Sequence, residues 1–82
     1  MKLPRDVGGQ ELAHLLKQYG YHISRQRGSH LRLSSSMKGG EHHLSIPKHQ
    51  PLKLGTLSAV LSDVAGYLEM DKRDLASELF EK

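Results

Sequence analysis

Three short segments in which polar and apolar residues alternate follow one another in the middle of the chain. They are residues 21–25, 30–34 and 42–47. A turn at residues 26–29 (Gln-Arg-Gly-Ser) separates the first two, and a polar loop at residues 35–40 with a Gly-Gly pair follows the second. Alternation of period two is typical of strands that bury one face, and short connections favour pairing of successive strands. The pattern therefore predicts a three-stranded antiparallel meander.

Segments with helical spacing of apolar residues flank these strands. Residues 7–19 predict a first helix that ends at Gly20. Thr56 is the expected N-cap of a second helix, which Gly66 should end or loosen, and Asp71 is the expected N-cap of a short last helix. Because the helices are separated from the strands along the chain, the sequence predicts an α+β fold with two layers.

The size and composition of the chain limit the classes of protein to which it can belong. With 82 residues, we expect residues 1–82 to form one domain, which excludes a large enclosed substrate cavity. The absence of cysteine excludes disulfides, thiolate metal sites and cysteine nucleophiles. No apolar run resembles a signal peptide or a membrane span, so we expect a cytoplasmic protein that does not bind membranes.

Charge is distributed unevenly along the chain. From His14 to Lys53 there are seven lysines and arginines against one acidic residue, whereas from Leu54 to Lys82 there are three against six. A concentrated basic region indicates a polyanionic partner, most often nucleic acid. A solvated lysine-rich surface is the simpler interpretation, but arginine predominates in residues 25–32 and suits phosphate better than lysine.

If the helices cover one face of the sheet, the opposite face must meet solvent or a ligand. The alternation predicts that this face carries histidine, serine and arginine side chains: His22, Ser24, His30, Arg32, Ser34, His43 and Ser45.

Three motifs in this order resemble the HicA (YcfA-like) toxin family. They are residues 25–30 (Arg-Gln-Arg-Gly-Ser-His), residues 46–49 (Ile-Pro-Lys-His) and residues 53–57 (Lys-Leu-Gly-Thr-Leu). The resemblance extends from Val7 to about Val64. Two features depart from the family pattern, since Gly8 replaces a capping serine and the tail from Leu68 is longer and more acidic.

The resemblance implies an α-β-β-β-α fold like that of double-stranded-RNA-binding domains, here followed by a short extra helix. It also implies an endoribonuclease toxin that cleaves mRNA without a cofactor, belongs to a stress-response toxin–antitoxin pair and is held inactive by a HicB-type antitoxin. The catalytic histidine of the family corresponds to His30.

A separate physical argument also favours His30. Cleavage of a phosphodiester needs one proton removed from the attacking oxygen and one delivered to the leaving oxygen, and histidine can do either near neutral pH. His30 directly follows a glycine turn, so we expect an accessible ring. The alternative is a surface histidine that only completes the turn.

The remaining candidate residues are basic or hydroxyl side chains near the motifs. They are predicted to contact RNA or phosphate: Arg25, Arg27, Ser29, Arg32, Lys48, His49 and Lys53. For His49, a loop histidine that only bonds backbone groups is an equally good interpretation.

Three other functions remain open at the level of sequence. The first is a non-catalytic RNA-binding module, and the second is a protein that binds only another protein. The third and least favoured is a zinc enzyme with His22, His30 and His43 as ligands. Because no helical ligand pair of the HExxH type occurs, we expect no metal.

Overall fold

The computed structural model describes residues 3–81. The elements in chain order are α1 (Gly9–Leu15), which continues as a 3₁₀ turn (Leu16–Tyr19), β1 (His22–Arg27), β2 (His30–Ser35), β3 (His42–Pro47), α2 (Leu54–Leu68) and α3 (Lys72–Phe80). This order confirms the predicted α+β fold with an α-β-β-β-α core and a short last helix.

The three strands form one antiparallel sheet in the order β1-β2-β3. The predicted bounds of β3 are confirmed, β2 is one residue longer than expected, and β1 continues to Arg27 rather than ending at Arg25. α1 packs on β2 and β3, and α2 packs on β3. All six residues of β1 are exposed, so β1 is an edge strand that the helices leave uncovered.

The hydrophobic core lies between the helices and β2 and β3. Leu31, Leu33 and Ile46 from the strands are fully buried, as are Leu16 and Leu61 from the helical layer. The face of the sheet opposite the helices, called the outer face below, therefore remains available for function.

The first turn of α2 differs from the prediction. The N-cap is Lys53 and not Thr56, because the carbonyl of Lys53 already accepts a hydrogen bond from the Leu57 N–H at 3.0 Å. Thr56 consequently lies within the first turn, where Leu57 enters the core. The prediction placed the start of the helix one turn too late.

Gly66 was expected to end or loosen α2, and the structure shows that the helix does not end there. The helix continues to Leu68 because buried Ala65 and Leu68 extend its apolar face past the glycine. Glu69 then ends the helix in a left-handed conformation with φ 58°, and the Met70 N–H bonds the Ala65 carbonyl at 2.9 Å.

The predicted start of the last helix is confirmed. The carboxylate of Asp71 accepts a hydrogen bond from the Arg73 N–H at 2.7 Å, as an N-cap residue should. Leu75 and Leu79 are buried, and α3 packs against α2. Within residues 3–81, every helix is too short or too polar to cross a membrane.

Candidate active site

A two-residue turn, Gly28 and Ser29, connects β1 to β2. Gly28 has φ 58°, a left-handed conformation that glycine adopts without a steric penalty. Arg27 and His30 are the cross-strand partners that flank this turn. Cross-strand partners have neighbouring side chains on one face of a sheet, so the turn places an arginine beside His30.

A β-bulge interrupts the alternation of β1. Ile23 pairs with Leu33 and Arg25 pairs with Arg32, while Ser24 between them has no partner. An uninterrupted alternation would put Arg25 on the same side as Ile23, towards the helices. The extra residue in the bulge instead turns Arg25 to the outer face.

Hairpin and bulge together build a cavity on the outer face. Its volume is about 320 Å³, and it is lined by Arg25, Arg27, His30, Arg32 and Ser45. All five residues are exposed. The structure thus brings together four of the residues that the sequence analysis selected and adds Ser45, whose outward position was predicted. We call this space the His30 cavity.

The arginines of the His30 cavity have no acidic partners. Within residues 3–81, the ion pairs are Lys38–Glu69, His42–Asp63, His43–Glu41 and Arg73–Asp71. Arg25 and Arg32 are also direct cross-strand partners, and like charges in that position destabilise a sheet. An anion such as a phosphate would relieve this repulsion by bonding both guanidinium groups.

His30 supplies the proton-transfer group of the cavity. It is exposed at the start of β2, and Arg27 and Pro47 are its cross-strand neighbours. A phosphate held by the arginines would therefore lie next to an accessible imidazole, which can donate or accept a proton near neutral pH. The arrangement fits an anionic substrate that undergoes proton transfer.

Close packing of α1 supports the end of β3 beside His30. The Gly9 N–H donates to the carbonyl of His49 at 3.0 Å. A Cβ added at Gly9 would lie 1.9 Å from the Pro47 carbonyl oxygen, so only glycine allows this approach. The helix thereby holds Pro47, the cross-strand partner of His30, in place.

Ser29, Lys48, His49 and Lys53 do not line the His30 cavity. The Lys48 N–H donates to the Ser29 carbonyl at 2.7 Å, so these two residues adjoin the turn through their backbones. His49 contributes its carbonyl to α1, and Lys53 caps α2. Their predicted contacts with RNA stay predictions.

A chain of hydrogen bonds at the other end of the outer face was not predicted. The ring of His43 lies between Ser34 and Glu41, with 2.7 Å from Nδ1 to the Ser34 Oγ and 2.9 Å from Nε2 to the Glu41 Oε1. The Ser34 Oγ is also 3.0 Å from the Ser24 Oγ at the bulge. Alternation predicts the outward position of His43, Ser34 and Ser24, but only the register shows that they meet.

A second cavity adjoins this chain. Its volume is about 260 Å³, and it is lined by Arg32, His43, Leu44 and Ser45. Arg32 and Ser45 also line the His30 cavity, so the two spaces adjoin each other on the outer face. We call the second space the His43 cavity.

His42 belongs to a different network on the side of the sheet that faces the helices. Its Nδ1 is hydrogen-bonded to the Tyr21 hydroxyl at 2.7 Å, its Nε2 donates to the Asp63 Oδ1 at 3.1 Å, and its ring stacks on Tyr67. Tyr21 is only 1% exposed, and burial, with the nearby Tyr67 and Asp63, raises its pKa well above the ordinary value. Because a substrate cannot reach Tyr21, the network stabilises the fold.

The structure does not gather the three histidines considered as zinc ligands. His22 and His43 flank Ser34, whereas His30 lies at the opposite end of β2. Among residues 3–81, no three histidine or carboxylate side chains form a cluster that could hold a metal ion.

Comparison with known protein families gives a match. A family model described as "HicA toxin of bacterial toxin-antitoxin" matches residues 9–65, which is more than half of the chain. This range includes both cavities of the outer face. No curated protein and no solved structure matches the chain.

Proposed function

The chain belongs to the HicA toxin family of bacterial toxin–antitoxin systems, and on this basis we propose that it is an endoribonuclease that cleaves mRNA with His30 as general acid or base. One observation carries the proposal. The His30 cavity places an exposed imidazole beside three arginines that have no ion-pair partner within residues 3–81.

The chemistry follows from these side chains. In phosphodiester cleavage, an oxygen attacks phosphorus and loses its proton while the bond from phosphorus to the leaving oxygen breaks and that oxygen gains a proton. His30 performs one of these two transfers, and a solvent water molecule performs the other. Arg25, Arg27 and Arg32 bind the phosphate and stabilise the charge that builds on it in the transition state. This route needs no metal ion.

Family membership also implies an antitoxin partner. We propose a HicB-type protein that covers the His30 cavity with acidic side chains. Such a partner would neutralise the unpaired arginines and exclude RNA at the same time, because complementary charge directs the two surfaces together.

The experiment compares purified wild-type protein with His30→Ala in RNA cleavage, with EDTA present. His14 is an exposed histidine on α1 and outside the cavity, so His14→Ala is the matched control. We expect wild type and His14→Ala to cleave RNA at equal rates, and His30→Ala to lose at least about 100-fold in rate. Cleavage by His30→Ala at the wild-type rate would disprove the role of His30.

A non-catalytic RNA-binding module is the second candidate, and the composition of the cavity is the observation that favours it. His30 is its one side chain that transfers protons near neutral pH, whereas complete cleavage requires two transfers. In that case, wild type and His30→Ala would bind RNA equally and neither would cleave it.

A further inference from the structure

The His43 cavity has no role in the function proposed above. It adjoins the His30 cavity on the outer face, since Arg32 and Ser45 line both. A polymer bound at the arginines and running along the strands in this direction would extend over His43.

The ring of His43 is held in one orientation. Glu41 accepts a hydrogen bond from Nε2 at 2.9 Å, because a carboxylate offers only acceptors. The other nitrogen, Nδ1, lies 2.7 Å from the Ser34 Oγ. Both nitrogens are therefore occupied, yet 40% of the side chain is exposed. What His43 presents to a ligand is the flat surface of a fixed aromatic ring.

The charge of Glu41 disfavours a phosphate on the ring of His43 itself. Glu41 is 67% exposed and close to the ring, so it would repel a phosphate at this end of the face. Arg32 lines both cavities and has no ion-pair partner within residues 3–81. A nucleic acid strand that places a phosphate on Arg32 would thus leave an uncharged part, the base, over His43.

The two histidines are too far apart to act on one bond. His30 pairs with Pro47 and Ser34 pairs with His43, so four residues of strand, or about 13 Å, separate the two ends of the outer face. A proton-transfer group must approach its oxygen to about 3 Å. His43 must therefore contact a different nucleotide from the one whose phosphate lies at His30.

We propose that the outer face binds a single-stranded segment of RNA and that the base of a nucleotide next to the phosphate in the His30 cavity stacks on the ring of His43. Stacking on aromatic side chains is a general way to bind unpaired bases. The inference takes from the proposed function only that RNA occupies the His30 cavity. It adds a nucleotide subsite formed by Arg32, His43 and Ser45.

The test measures binding of a short single-stranded RNA that carries one 2-aminopurine, placed in turn at each position. The protein carries His30→Ala to prevent cleavage. To this background we add His43→Phe, which keeps an aromatic ring without the hydrogen bonds, or His43→Gln, which keeps hydrogen-bonding groups without the ring. His14→Ala is the control for removal of an exposed histidine.

We expect 2-aminopurine fluorescence to be quenched at one position of the RNA. His43→Phe should give nearly the same quenching and affinity as the protein that retains His43. His43→Gln should remove the quenching and weaken binding about tenfold. Because stacking releases no counterions, the salt dependence of binding should be the same in both variants.

Stronger binding and quenching by His43→Gln than by His43→Phe would overturn the proposal, since a histidine that only supports the fold needs its hydrogen bonds and not its ring. Equal affinity and quenching in the two variants would also overturn it. These results are separable from the fate of the proposed function. If the His30→Ala protein binds RNA and quenches 2-aminopurine but the wild type never cleaves RNA, the His43 subsite is supported and the proposed catalysis is disproved. If the wild type cleaves RNA but His43→Gln changes neither binding nor quenching, the proposed catalysis is supported and the His43 subsite is disproved.

Discussion

The side of the sheet that faces the helices and the His30 cavity on the outer face treat their polar groups in opposite ways. On the side facing the helices, His42 is bonded at both nitrogens, and no buried side-chain nitrogen or oxygen within residues 3–81 lacks a hydrogen bond. On the outer face, Arg25 and Arg32 oppose each other without an acidic neighbour. The side that faces the helices is arranged for stability, whereas the Arg25–Arg32 pair in the His30 cavity remains unfavourable until a ligand binds.

Truncation of the core should give the largest difference between the two sides. Leu33 is fully buried, so Leu33→Ala should lower the free energy of unfolding by about 2–5 kcal/mol. His30→Ala, at an exposed position of the same strand, should change it by no more than about 0.5 kcal/mol. Urea denaturation measures both. Equal losses of unfolding free energy would mean that the outer face also contributes to stability, so that the two sides of the sheet do not differ in this respect.

Removal of one hydroxyl should have an intermediate effect. Tyr21→Phe deletes the hydrogen bond to the His42 Nδ1 and should cost about 1–2 kcal/mol of unfolding free energy at neutral pH. Because the folded-state pKa of Tyr21 is raised, its hydroxyl contributes fully below about pH 10, and this contribution is lost as pH rises further.

Thermal melts from pH 8 to pH 11 check this second prediction. The loss of stability above about pH 10 should be shallower in Tyr21→Phe than in wild type. Tyr19, whose pKa is raised by burial and by Glu78, remains in both proteins and contributes to the residual slope. Identical slopes would show that Tyr21 does not govern the alkaline loss.

Neutralising one arginine should change stability by less than the loss of the Tyr21 hydroxyl, and in the opposite direction. Arg25→Gln removes the repulsion with Arg32 and should raise the free energy of unfolding by about 0.2–1 kcal/mol. The same change should weaken RNA binding and lower the salt slope of its affinity by about 1. Lys17→Gln, an exposed change on the helical layer, is the control for charge alone. A variant that loses stability would contradict the idea that the outer face is strained.

The sequence predicts the elements of this fold better than it predicts their ends. The bounds of β3 follow from Leu44 and Ile46, whose alternation matches the buried side of the sheet. Thr56 and Gly66 were misleading because local propensity is weak compared with packing, and buried Leu57 and Leu68 extend α2 in both directions.

In the candidate site, local alternation likewise predicts some features, whereas others depend on how the strands pair. His30 and Arg32 are predicted to share a face because they lie two residues apart on one strand. The outward position of Arg25 depends on the bulge, which exists only in the register of β1 against β2. The bonds from His43 to Ser34 and Glu41 likewise join residues whose neighbourhood no local pattern reveals.

The bulge at Ser24 also has a consequence for how the gene can change. Loss of the codon for Ser24 would restore regular alternation and leave Arg25 and Arg27 on the outer face. Loss of the codon for Gln26 would make those two arginines adjacent and turn one of them away from His30. In β1, the placement of the arginines on the outer face therefore survives deletion of Ser24 but not deletion of Gln26.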